Sequence, residues 1–123
     1  MSRPPNSTSA VPDDLSGLLF ESNPSPILVF DDETLAILAV NEAAVRQYGY
    51  SRAEFLAMTL REIRPPEDVP RLLEIVHGRS GPIWEGPSRH LRKDGSLIEV
   101  EIAANRIQWF GRAASLVLIR DLT

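Results

Sequence analysis

Few side chains in this sequence could move a proton or hold a metal. The candidates are His77, His90, Asp94, Glu99 and Glu101. Glu99 and Glu101 alternate with Ile98, Val100 and Ile102, which reads as the solvated or partner-facing side of a strand rather than as a carboxylate pair for acid–base work. Asp94 precedes Gly95, and an Asp-Gly pair has a turn role that needs no chemistry. His77 falls in the last turn of an expected helix, where a cation complements the helix dipole. No Ser/His/Asp order, phosphate loop or metal-ligand pair stands out. The chain has no cysteine, so disulfides, thiolate nucleophiles and thiolate ligands are excluded. Catalysis within this chain is therefore not expected.

The elements that would position these residues can be read from pattern. Residues 1–12 are rich in Ser, Pro and Asn and almost free of large apolar side chains, so they read as a disordered tail or linker. A domain is expected over residues 13–123, with a flanking helix over 13–22 and a core over 27–120. Leu15, Leu18 and Leu19 form the apolar stripe of that first helix, and Asn23-Pro24-Ser25-Pro26 ends it. Strands are predicted over 27–30 and 35–40, joined by the polar turn Asp31-Asp32-Glu33-Thr34.

Next comes the most informative stretch. Asn41 is placed to cap a helix, Glu42 suits its positive end, and Gly49 can close it in the left-handed conformation. Ser51 and Glu54 have the spacing of a capping box for a second short helix. Residues 58–64 are weakly helical up to Pro65-Pro66. A clearer helix is expected from about 67 to 77, where Val69, Leu72, Leu73 and Val76 share one face and Pro70 is tolerable in the first turn. The last forty residues read as three strands: 84–92, irregular near Gly86-Pro87, then 97–106, then 113–120. The last is so continuously apolar that it should be a central strand covered on both faces. The sum is an α+β fold, ββ–helices–βββ, with helices over one face of a five-stranded antiparallel sheet.

At 123 residues and 43% apolar content the chain can build one core. A net charge of −4 argues against a nucleic-acid surface. No apolar run approaches the roughly 20 residues of a membrane span, so no direct membrane contact is expected. No basic-then-apolar leader pattern opens the sequence, and the expected location is cytoplasmic.

Val40-Asn41-Glu42-Ala43-Ala44 leading into Tyr48-Gly49-Tyr50-Ser51, then Arg92-Lys93-Asp94-Gly95-Ser96, then Asp121-Leu122-Thr123 together resemble the PAS domain family. The resemblance covers about residues 15–123. It implies a sensory or dimerisation module of a larger bacterial signalling protein: a histidine kinase, a cyclic-di-GMP enzyme or a transcriptional regulator. Asp121, Leu122 and Thr123 would relay a signal to a covalently linked output domain. The family's cavity lies between its long helix and the sheet. The candidates to line it are Val29, Asn41, Tyr48, Phe55, Ile63, Leu72, Val76, Arg89, Ile98, Val100, Leu116 and Leu118, with Asn41, Tyr48 and Arg89 as the polar groups that a small ligand would need.

The family's covalent flavin adduct and its photoactive-yellow chemistry both need a cysteine, and this chain has none. Haem would have to use His77, and flavin would have to bind without a covalent bond. The expected partners are a second copy of the chain and a small molecule. Leu15, Leu18, Leu19, Phe20, Trp109 and Phe110 are the candidate dimer contacts. The competing readings are a constitutive dimerisation scaffold with a filled core and a haem gas or redox sensor.

Overall fold

The computed structural model of the chain describes residues 15–79 and 81–122. The expected tail over 1–12, the first two residues of the expected flanking helix, 13–14, and Thr123 lie outside the described residues. So does the side chain of Leu15. The elements run α1 (Leu15–Ser22), β1 (Ile27–Asp31), β2 (Ile37–Val40), α2 (Glu42–Tyr48), α3 (Arg52–Leu56), α4 (Val69–Gly78), β3 (Ile83–Leu91), β4 (Leu97–Trp109) and β5 (Arg112–Asp121). Single 3₁₀ turns at Leu60–Ile63 and Pro66–Asp68 lead into α4. The strands form one antiparallel sheet in the order β2-β1-β5-β4-β3. The fold is α+β, as the pattern implied.

The helix ends are built as the residue types require. The Asn41 side chain accepts a hydrogen bond from the Ala44 amide, and Gly49 closes α2 at φ 85°. Ser51 and Glu54 form a reciprocal capping box on α3. Thr59 and Glu62 repeat the device on the first 3₁₀ turn, which the sequence reading passed over. β2 begins two residues later than predicted. Leu35 takes a left-handed φ of 66°, because the Asp31 side chain folds the connection back by accepting from the amides of Glu33 and Thr34. Leu35 remains fully buried, and its amide and carbonyl bond Asp31 and Leu60.

β3 runs unbroken through Gly86-Pro87, contrary to the expected irregularity. It is an edge strand, so the missing Pro87 N–H costs no ladder bond. Gly86 is required for a different reason. A Cβ there would sit 2.7 Å from the Trp84 indole, which lies across it. The β4–β5 turn is two residues, Phe110 and Gly111, both at positive φ, as a tight hairpin demands.

One side chain ties the first half together. Asn41 is fully buried. Its Oδ1 accepts from the Ile27 amide at 2.9 Å and the Ala44 amide at 3.1 Å. Its Nδ2 donates to the Phe20 carbonyl and the Ser25 carbonyl, each at 3.0 Å. Three segments, α1, the run into β1 and α2, therefore converge on one amide. Asn41→Ala would leave these buried groups unpaired, at about 1–3 kcal/mol for each unsatisfied group. We expect a total loss of about 3–5 kcal/mol in urea unfolding, with the denaturant slope unchanged. A loss below about 1 kcal/mol, the net value of one ordinary hydrogen bond, would contradict this role.

Candidate ligand cavity

The sheet has two faces with different contents. The inner face carries Leu28 and Phe30 of β1, Val117 and Ile119 of β5, Ile98, Val100, Ile102 and Ala104 of β4, and His90 of β3, all buried. They pack with Tyr48, Phe55, Leu60, Ile63, Leu72 and Val76 from the helical layer. The outer face gathers Phe20, Ile27, Val29 and Ala114, with Leu38, Ile107, Trp109 and Leu116 partly buried beside them.

Between α4 and the inner face lies a cavity of about 430 Å³. Its walls are mostly apolar: Leu28, Phe30, Leu60, Ile63, Leu72, Val76, Val100, Ile102, Ala104, Val117 and Trp84. Of the residues predicted to line it, Ile63, Leu72, Val76, Arg89 and Val100 do so. Tyr48, Phe55 and Ile98 belong to the same core but stand behind the wall. Val29, Leu116 and Leu118 are corrections. Val29 pairs with Leu116 on the outer face, and Leu118, two residues further along the same face, is 39% exposed. A phase error of one residue turns a whole strand over, and in these two nearly all-apolar strands alternation carries no phase. The inward residues are Leu28, Phe30 and Val117. Asn41 is also corrected, because all its bonding capacity goes to the backbone of the fold.

The polar chemistry of the cavity comes from Arg64 and Arg79, which the sequence did not single out, together with Arg89 and with His90, which it marked only as titratable. His90 is 1% exposed, and its Nδ1 lies 2.6 Å from the Tyr48 hydroxyl. Burial raises the Tyr48 phenol well above its ordinary range, so Tyr48 stays neutral, and we assign its O–H as the donor to Nδ1 because no other acceptor for that proton is found among the described residues. The tautomer assigned by this bond puts the remaining imidazole proton on Nε2. That atom is buried and has no partner.

Arg64 stands beside this pair on the cavity wall. It donates to the Ser88 hydroxyl, yet its Nε is buried without a partner. Burial lowers its pKa to about 10, and it remains a cation at neutral pH. Arg79 donates to Ser115, which in turn donates to Asp32 at 2.7 Å. Arg89 is held by two bonds of 2.9 Å to Asp68 and one of 3.2 Å to Glu67. The bonds from Arg89 hold the Asp68 carboxyl below its usual range.

His77 is exposed in the last turn of α4 and is absent from the cavity wall. The helix phase turns Leu72 and Val76 inward in its place. At the C-terminal end, Gln47 of α2 donates to Asp121 at 2.7 Å, and Arg92 approaches it at 3.9 Å. Leu122 reaches the cavity wall. Phe20 is corrected as a dimer contact, because it is buried in its own chain. Leu18, Leu19 and Phe110 are 59–62% exposed, and Trp109 is partly covered, in edge contact with Phe110.

Burial first, and the Arg64 charge second, push the His90 pKa well below 6.5. Below that pH the unfolded chain takes up a proton that the folded chain refuses. Stability is therefore full above about pH 6.5 and falls as the pH drops, by at most about 1.4 kcal/mol per pH unit, until the folded pKa is reached. Urea unfolding at several pH values between 7.5 and 5 should show this decline, and His90→Gln should flatten it. Equal slopes in the two proteins would contradict the assignment.

Comparisons with known proteins agree with this architecture. A family model described as a PAS domain matches residues 24–123. The methyl sulfide methyltransferase-associated sensor of Methanosarcina acetivorans is 25% identical over 108 residues, which is 85% of this chain and 11% of that protein. The chain thus spans about a tenth of that relative's length. Among solved structures, the PAS domain of an HTR-like protein from Haloarcula marismortui is 28% identical with a TM-score of 0.76, over 85% of this chain and 86% of that one. A domain of a sensory box sensor histidine kinase/response regulator from Geobacter sulfurreducens is 26% identical with a TM-score of 0.69, over 85% and 90% of the two chains. With that match running through every strand of the sheet and the helices laid over its inner face, this chain belongs to the PAS domain family.

Proposed function

We propose that this PAS domain is a non-catalytic sensory module of a larger signalling protein. It binds a small molecule in the cavity beneath α4 and passes occupancy to the end of β5. The observation that carries this reading is the shared wall. Val117 of β5 and Leu122 line the same cavity as Leu72 and Val76 of α4. Asp121, the last residue of β5, lies between Val117 and Leu122 in the chain and is tied to α2 through Gln47. A molecule that fits one arrangement of this wall better than another shifts the balance by the difference in its affinities, and by no more. The names of the relatives support the class. One is a sensor, and another is part of a sensor histidine kinase/response regulator. A kinase, a cyclic-di-GMP enzyme or a transcriptional regulator is the corresponding output.

The same proposal includes pairing with a second copy, through the outer face that the helices leave partly bare. Leu118 is 39% exposed in the middle of the central strand, flanked on its own strand by the outer-face residue Leu116. Leu18 and Leu19 are exposed on α1, whose Phe20 packs onto that face. A second copy of the same apolar surface would cover both patches.

Two measurements test this reading. Filling the cavity with Ala104→Phe should alter amide hydrogen exchange at residues 119–122, and Gln47→Ala should reduce that response. Unchanged exchange at the strand end would contradict the relay. By sedimentation at micromolar concentration the domain should be a dimer, and Leu118→Glu should make it a folded monomer. A monomeric wild-type protein would contradict the pairing.

A further inference from the structure

The chemistry of the cavity narrows what it can hold. An isolated cation is costly to bury unless something pairs with it. Arg79 meets this demand with Asp32 at 3.9 Å, and Arg89 meets it with Asp68 and Glu67. Arg64 meets it only at a distance. It is half-buried and feels the charge of Asp68 without forming an ion pair among the described residues, its one side-chain bond is to the neutral Ser88 hydroxyl, and its Nε is buried without an acceptor. Beside it, His90 is 1% exposed, and its Nε2–H is likewise buried without an acceptor. Tyr48 fixes that tautomer from the far side of the ring, so Nε2 is held as a donor.

Both residues line the same cavity, whose remaining wall is mostly apolar but also carries Asp68, Arg71, Arg79, Ser88, Arg89 and Glu99. Two donors without acceptors, one of them a full positive charge, share a mostly apolar enclosure. Buried donors left in this state are rare in folded proteins.

We infer that the cavity takes a monocarboxylate with a compact apolar body, its carboxylate accepting from Arg64 and from His90 Nε2–H. The apolar body lies against Leu72, Val76 and Trp84. This inference rests on reading the cavity as a ligand site and adds the class of ligand. A guanidinium suits a carboxylate because it offers parallel N–H donors as well as charge. A ligand without an acceptor would leave the Arg64 Nε–H and the His90 Nε2–H unpaired. A dicarboxylate would bring a second negative charge to a wall that already carries the Asp68 and Glu99 carboxylates. The volume, about 430 Å³, lies within the range of small-molecule sites.

The test compares two probes of nearly equal shape, 2-naphthoate and 2-naphthamide, by calorimetric titration at pH 7.5. The carboxylate should bind at least tenfold more tightly than the amide. Arg64→Met keeps the aliphatic stem and should abolish that preference while leaving the amide's affinity within about twofold. In the wild-type protein, the Arg64 Nε–H and His90 Nε2–H resonances should shift on adding naphthoate, a readout that does not depend on any variant folding. Equal affinities for the two probes would overturn the carboxylate inference and leave the ligand-binding reading standing. Naphthoate binding without movement of the Arg64 and His90 signals would overturn it in the same way. If neither probe binds, yet Ala104→Phe still alters exchange at residues 119–122, the ligand class fails and the relay survives. Failure of both would remove the cavity as a functional site.

Discussion

The fold depends on satisfying the backbone where α1, β1 and α2 meet. Three chain segments there bring amides and carbonyls into a dry junction, and no regular ladder can pair them. The Asn41 amide is the group that can donate and accept at once, and it does both without exposure to water. An aspartate could accept but not donate, and a leucine could do neither. The family's asparagine thus has a structural explanation. It ties α1 and the start of α2 to the start of β1.

That space shows how the interior differs between the two sheet faces. The outer face is filled by short apolar contacts, with Phe20 brought back from α1. The inner face holds a cavity whose walls carry cations and an imidazole. Native cores bury such groups with partners, and most here have them: Arg89 with Asp68, Ser115 with Asp32, Tyr48 with His90. The incompleteness is confined to Arg64 Nε, Arg79 Nε, His90 Nε2 and Arg92 Nε among the described residues. The first three of these four open donors belong to residues around this cavity, and Arg92 Nε is the exception.

Much of this was legible in the sequence, and the failures have a common cause. Helix ends were readable because capping is local. Asn41, Gly49, and the pair Ser51 and Glu54 act within four residues of where they stand. β4 was readable because charged and apolar residues alternate along it and set its phase. β1 and β5 were assigned to the wrong phase because neither has a polar residue in the right place to mark its outer side. Only the register between them, Leu28 against Val117, settles which residues point inward. His90 was noticed as a titratable side chain but not as a cavity residue. Its role depends on Tyr48, forty-two positions away, and no local pattern carries that. Arg64 was passed over because an arginine between two turns reads as surface. The burial of its guanidinium is a tertiary outcome.

The central claim is that the space under α4 is a binding site and not a packing defect. Native mass spectrometry of the domain after exposure to a small-molecule cell extract tests it directly. The account predicts one added small mass per 13.7 kDa chain, released on denaturation and carried in negative-ion mode. It also predicts that the added mass is lost when Leu72→Trp fills the cavity in a protein that still folds. A bare chain mass, or an added mass that survives filling of the cavity, would contradict it.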